Sequence, residues 1–148
     1  MPDRRIFLES LAGAAAGLTF SSLISARENE TDELGEILPK RRLGNTDEFI
    51  TMLGTGGYHV GWTTEHDARE VIETALEGGV RFFDTAESYS GGRSEERYGR
   101  YLTPKYRDLI FLMTKSTGRD AKTVQRHLED SLRRLKVDQI DLYQVHAI

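Results

Sequence analysis

The chain has 148 residues, 38% hydrophobic and 30% charged, with a formal net charge of −4, a soluble-type composition with material for one core and too little length for two ordinary domains. It contains no cysteine, which excludes disulfides, thiolate metal sites, cysteine nucleophiles and lipid attachment at cysteine. The acidic balance excludes a nucleic-acid footprint, because the two basic clusters, Lys40-Arg41-Arg42 and Arg133-Arg134, are too small to reverse it.

In chain order, a charged start, MPDRR, leads into LAGAAAGLTFSSLISA before polarity rises at RENETDELGE, the layout of a signal peptide over residues 1–26. Ile24-Ser25-Ala26 offers a cleavage site. The apolar part is shorter and weaker than the ~20 residues a bilayer-spanning helix needs, so no stable membrane anchor is predicted. Arg4, Arg5, Phe7 and Leu8 resemble the twin-arginine export signal, with Asp3 and Glu9 where that signal has serine and lysine. The resemblance implies a protein handled by the twin-arginine machinery, exported already folded and destined for the periplasm. The competing reading is an amphipathic N-terminal helix packed on the domain.

Residues 27–38 are acidic and turn-rich, and are predicted to be a linker. KRRLGNTDEFIT then reads as a hairpin about Gly44-Asn45-Thr46-Asp47. Four apolar runs follow as strands, ITMLG (50–54), VRFFD (80–84), LIFLMTK (109–115) and IDLYQVH (140–146), each suited to burial on both faces. Between them, Thr64 caps a helix with Ala68, Val71, Ile72, Ala75 and Leu76 on its apolar side and Gly78-Gly79 as its stop. Asp120 caps another, with Ala121, Val124, Leu128, Leu132 and Leu135 inward and basic residues in the last turn. A shorter helix over 94–102 is stopped by Pro104. Such a β-α-β series builds parallel strands joined by right-handed crossovers.

Asp84, Lys115 and His146 end three of the runs at equal intervals of 31 residues, and Gly54 ends the first. Each has an ordinary explanation alone: a turn cap, a lysine reaching solvent, a satisfied core histidine. Together, at one level of neighbouring parallel strands, they converge where α/β sites form. The chemistry follows from the residue types. A phenol ionises at about pH 10 and is a poor proton donor at neutrality, but an adjacent ammonium favours its ionised form. Lys115 is a candidate for that ammonium, Asp84 for its counter-charge, and His146 for orienting a carbonyl oxygen toward Tyr89. The cluster has no hydride source of its own, so a reductase would need a nicotinamide beside it.

Gly79, Arg81, Asp84, Thr85, Ala86 and Tyr89 match G-x-R-x-x-D-T-A-x-x-Y, FLMTKS and DLYQVH bring Lys115 and His146, and LGTGG and SEERYG complete the pattern. From about residue 40 onward the sequence resembles the aldo-keto reductase family, with Tyr98 where that family has an aliphatic residue. The resemblance implies a (β/α)8 TIM barrel of α/β class and reduction of an aldehyde or ketone to an alcohol by NADPH, with NADP preferred to NAD. It makes Tyr89 the general acid, Lys115 and Asp84 its tuning pair, His146 the carbonyl-orienting residue, and Gly54, Thr55 and Asp84 the cofactor contacts. Tyr58, His59 and Trp62 are candidate linings of a pocket for a small carbonyl substrate, while His59, His66 and His127 otherwise read as surface or helix positions.

A barrel of this kind takes roughly 250 residues. The four strands and three helices here amount to about its first half, and the expectation is an inactive fragment with an uncovered strand edge. A dinucleotide-binding Rossmann unit is disfavoured, because GTGGYHVG lacks G-x-G-x-x-G spacing and about ten residues separate Gly54 from the helix at Thr64. No metal site is predicted, since Lys115 places a positive charge where ligands would gather. A non-catalytic member that senses a cofactor or binds a partner is the alternative function.

Overall fold

The computed structural model describes residues 30–147. The signal-peptide reading of residues 1–26 lies outside them. Among the described residues no helix is long and apolar enough to cross a membrane.

The hairpin forms as expected. Strands β3 (Lys40–Arg42) and β4 (Phe49–Thr51) pair antiparallel, joined through Gly44 at φ 55°, while the Arg42 guanidinium donates to Asp47 Oδ1 at 3.1 Å. Ahead of them, residues 30–38 are not a linker. They form a two-strand ribbon, β1 (Thr31–Asp32) and β2 (Gly35–Glu36), that buries Ile37. Asp32 forms a two-pronged ion pair with Arg81, at 2.6 Å to Nε and 2.8 Å to Nη2. The acidic composition suggested a solvated segment, but one of its carboxylates is the partner of an arginine buried to 3% exposure, which cannot stay charged there alone. Gly79 permits the docking: at φ 83° it bonds Leu38 N through its carbonyl (3.0 Å), and a Cβ on it would lie 2.6 Å from Glu36 O.

The parallel sheet runs β5 (Gly54–Gly56), β6 (Phe82–Asp84), β7 (Phe111–Ser116) and β8 (Leu142–Val145), in that spatial order. Its first strand is displaced from the expected 50–54. Ile50 and Thr51 belong to the hairpin, Met52 and Leu53 are exposed, and the strand in the sheet is Gly-Thr-Gly. Apolar content misled here because β5 pairs through its backbone, with a glycine required at 54: a Cβ there would lie 2.5 Å from the Phe82 ring.

Helix α1 (Gly57–Trp62) starts directly after β5, so the expected ten-residue gap before the first helix is absent. Helix α2 (Glu65–Glu77) follows, with Thr64 Oγ1 accepting from Asp67 N as its cap. Its inward stripe is Ala68, Ile72 and Leu76, whereas Val71 is exposed. Helix α3 (Arg93–Tyr101) ends as expected near residue 102, but Pro104 opens the short α4 (Thr103–Tyr106), since proline suits a first turn. Helix α5 (Ala121–Leu135) is capped by Asp120 accepting from Thr123 N.

Phe83 and Leu112 alternate onto the helix-covered side and join Ile72, Leu76, Tyr98, Leu102 and Leu135 in the core. By strand alternation Phe82, Asp84, Phe111, Met113 and Lys115 take the other face.

Candidate active site

Register refines how the strand-end residues meet. Asp84 lies opposite Gly56 and Met113, and Lys115 opposite Gln144. Gly54, Asp84, Lys115 and His146 are therefore not level, although their spacing led to the expectation that they would be. They form a staircase on one face, each two residues beyond the lateral partner of the one before, and the even step keeps every side chain on the same side of the sheet.

Reach closes the steps. Lys115 is only 8% exposed, and its ammonium makes an ion pair with Asp84 Oδ1 and donates to Thr85 O at 2.8 Å and to the Tyr89 hydroxyl at 3.3 Å. It also lies 4.9 Å from the centroid of the Tyr89 ring. The backbone after β6 explains how Tyr89 returns. Thr85 N donates to Met113 O (2.9 Å) and Glu87 N to Lys115 O (3.1 Å), so the chain runs on alongside β7. It then turns sharply through Ser90, Gly91 and Gly92, all at positive φ; Ser90, at φ 54° and ψ 36°, is the one non-glycine among them and sits where an L-residue is disfavoured.

His146 is held by its backbone N donating to Ser116 O at 2.8 Å and by Arg119 Nη2 donating to the carbonyls of His146 and Ala147 at 2.9 and 2.6 Å. Its ring meets Tyr89 edge to face at 5.4 Å, and Tyr58 does the same from another side at 5.3 Å. The structure thus brings Asp84, Tyr89, Lys115 and His146 together and adds Tyr58. An ammonium touching a phenol hydroxyl offsets charge left there when the proton departs, which is proton-donor chemistry at an open strand end.

Small and polar residues support this edge. Ser94, fully buried, donates from Oγ to Gly57 O (2.7 Å) and shares a 2.7 Å hydrogen bond with Thr85 Oγ1. A Cβ on Gly57 would lie 2.5 Å from Asp84 O, so only glycine lets α1 approach the strand end so closely. Tyr98 sits beneath, its hydroxyl directed at Thr55 O and Asp84 O at 3.5 and 3.4 Å. Burial, with the Asp84 charge adding to it, pushes its phenol far above the ordinary range. Of these two tyrosines, one is sealed in the core and the other lies beside an ammonium.

Other expected residues disperse. Trp62, 72% exposed, and His59 line a cavity of about 620 Å³ with Val60, Thr63, Asp67 and Val71, to which none of the four strand-end and tyrosine residues contributes. Gly54 and Thr55 line the open outer edge beyond β5, with Leu53 and Val71.

Sequence reasoning missed Glu87 and read His127 only as a surface or helix position; it lies on α5, half-buried. Glu87 Oε1 accepts from Thr117 N (3.1 Å) and Thr117 Oγ1 (2.5 Å) and lies 3.4 Å from His127 Nδ1. His127 Nδ1 is in turn 3.0 Å from Ser116 Oγ. Burial opposes ionisation of Glu87, but the two bonds from Thr117, with His127 and Arg134 nearby, outweigh it and hold the carboxyl below its usual range. The helix period contained the signal for His127, which lies three residues after Val124 and four before the buried Ser131.

A family model described as "Aldo/keto reductase family" matches residues 52–148. The aldo-keto reductase YhdN of Bacillus subtilis is 43% identical over 110 residues, covering 64% of this chain and 33% of its own. Among solved structures, an aldo-keto reductase of Bacillus halodurans in its holo form superposes with a TM-score of 0.66 at 34% identity, covering 73% of this chain and 40% of its own. One from Klebsiella pneumoniae in complex with NADPH gives 0.66 at 26%, covering 74% and 39%. The chain spans roughly a third to two fifths of the length of the relatives it matches.

Proposed function

The chain belongs to the aldo/keto reductase family, and from that premise we propose that it carries the proton-donating part of a site that reduces an aldehyde or ketone to an alcohol. The observation that carries the reading is the Lys115 ammonium, bound at once to Asp84 and to the Tyr89 hydroxyl. The family's α/β barrel neighbours support reading the four-stranded sheet as the first half of a (β/α)8 barrel, with residues 39–148 as that unit. The ribbon over 30–38 extends it at the N-terminal side.

The edge fits a flat ring cofactor. Gly56, level with Asp84, has nothing within 4 Å of where a Cβ would stand, and Thr85 and Ala86 beside the carboxylate are small. Gly54, Thr55 and Asp84 are the residues assigned to hold it. When bound, NADPH supplies the hydride that reduces the carbonyl carbon. Tyr89 donates its hydroxyl proton to the carbonyl oxygen, which becomes the alcohol. Lys115 offsets the charge left on the phenolate, Asp84 fixes Lys115, and the His146 ring, edge-on to Tyr89, orients the carbonyl oxygen. Tyr58 lines the substrate side of Tyr89.

The parallel sheet is open at β5 and at β8 among the described residues, so this chain by itself is assigned little or no turnover. Two experiments test these statements. In a chimera in which residues 40–147 replace the matching part of YhdN, carbonyl-dependent NADPH consumption is expected, and its absence in a folded chimera counts against the reductase reading. Saturable NADPH binding with carbonyl-dependent oxidation by the 148-residue chain alone would overturn the low-turnover statement. A cofactor-sensing member differs in that its output survives Tyr89→Phe.

Residues 1–26 are proposed as a twin-arginine export signal leading to the periplasm, on the strength of Arg4-Arg5 before Phe7-Leu8. Export of a folded reporter fused to residues 1–30 is expected to stop when Arg4 and Arg5 are both replaced by lysine; export that continues counts against it.

A further inference from the structure

Glu87 stands between Asp84 and Tyr89 in the chain, and all of its hydrogen bonds lead to the strand or loop that carries Lys115. Its backbone N donates to Lys115 O (3.1 Å). Its carboxylate, with a side chain 14% exposed, accepts from both donors of Thr117, two residues beyond Lys115. His127 of α5 closes the group from below, 3.4 Å from the Glu87 carboxylate and 3.0 Å from Ser116 Oγ. Ser116 Oγ also accepts from Gly118 N at 3.0 Å, and Ser116 O receives the backbone N of His146 at 2.8 Å. One compact cluster thus ties together the carboxyl ends of β6, β7 and β8 and the segments that follow them, which between them carry all four strand-end and tyrosine residues.

From this we infer that Glu87 is a positioning residue, whose paired hydrogen bonds to Thr117 hold the segment bearing Tyr89 in register with Lys115 and so set the contact between the phenol and the ammonium. The inference rests on the reductase reading for its consequence, since the contact matters only where Tyr89 donates a proton. The geometric reason is leverage. Between Asp84, anchored in β6, and Tyr89 the chain has no helix or strand of its own, and three left-handed residues follow Tyr89 directly. Without the Thr117 bonds the segment keeps its backbone bonds to β7, the Thr85–Ser94 hydroxyl pair, the Lys115 bond to Thr85 O, the Glu87–His127 contact and a 3.4 Å contact of Ser88 Oγ with His146 Nδ1, none of which ties the Glu87 side chain to the loop after Lys115. A side chain aimed by a loop loses function with small displacements: about 1 Å of misplacement can lower a rate roughly a hundredfold.

The test uses the full 148-residue chain labelled with carbon-13 at tyrosine Cζ, with Tyr89 assigned by its loss in Tyr89→Phe. Lys115→Met is expected to move the Tyr89 resonance, marking loss of the ammonium contact; no movement would remove the reading on which the inference rests. Glu87→Ala is expected to move it in the same direction, and Glu87→Gln, which keeps an acceptor for both Thr117 donors, to restore the wild-type position. A folded Glu87→Ala protein with an unmoved resonance, or failure of Glu87→Gln to restore it, overturns the positioning role. If Glu87→Ala does not fold, Thr117→Val at the exposed end of the contact decides, with a shift expected and its absence overturning the inference. In the YhdN chimera, Glu87→Ala should lower kcat by roughly tenfold or more with the carbonyl KM within about twofold. Equal loss in both parameters would point to general misfolding and sink the role. A chimera without any turnover contradicts the reductase reading while leaving the resonance result standing.

Discussion

Strand β6 follows directly on one charged residue and ends on another, and each is paired. At its start Arg81 meets Asp32; at its end Asp84 meets Lys115. The first pair is closed. Arg81 gives Nε and Nη2 to the two Asp32 oxygens and Nη1 to Leu76 O and Val80 O, and the β1–β2 ribbon covers it. The second pair has a further contact, because the Lys115 ammonium also reaches the hydroxyl of Tyr89, a group with a proton to give. The same chemistry of a buried cation and a carboxylate closes one end of the strand and leaves the other in contact with a phenol. What separates them is whether all of the cation's partners are inert acceptors.

The largest expected effect breaks the upper end alone. Tyr89→Phe in the chimera should reduce turnover by about 10²- to 10⁴-fold while leaving NADPH affinity and the melting temperature near those of the parent. A variant that keeps its turnover means another group donates the proton.

Next, Asp32→Ala strands the Arg81 guanidinium in the interior and should lower the unfolding free energy by about 3 to 5 kcal/mol, measured by chemical denaturation of the 148-residue chain. Little change would mean that the ribbon contributes nothing to the fold.

The pH dependence sharpens the same contrast. The Arg81 guanidinium, outweighing burial, holds the Asp32 carboxyl below its ordinary value of 3.8. Its contribution is thus fully present above that value and is lost as pH falls through the lower folded one. Acid unfolding of the wild type should steepen below about pH 4, and in a folded Asp32→Asn protein that part of the slope should be missing.

The smallest effect tests the packing beneath Asp84. Ser94→Ala removes the hydroxyl shared by Gly57 O and Thr85 Oγ1 and should destabilise by about 1 to 3 kcal/mol, toward the lower value if water enters the gap. Loss of Tyr89 reactivity well beyond this stability change would show that α1 also helps to fix the strand end.

Much of the site was legible because its parts repeat at strand spacing. Apolar runs ending in Asp84, Lys115 and His146 announce strands and their carboxyl ends, and the alternation of Phe82 and Phe83 already separates site face from core face. What was not legible depends on partners distant in the chain. Asp32 lies 49 residues from Arg81, and nothing local marks it out from the other acidic residues around it. β5 contains no apolar side chain, so hydropathy started the strand four residues early, at Ile50, which belongs to the hairpin. Val71 fits the apolar stripe of α2 by period but faces the open edge beyond β5. Glu87 and His127 are each unremarkable in sequence, and acquire meaning only through Thr117 and Ser116.

The sequence by itself determined the element types, their parallel order and the identities of the four residues at the site, because these follow from side-chain period and from residue chemistry at strand ends. Tertiary structure decided the register, the two-residue step between strands, the docking of residues 30–38 on Arg81 and the cluster around Glu87. Those depend on which backbone edges meet and which buried charges find partners, and distances of that kind are set by packing in three dimensions, not by order along the chain.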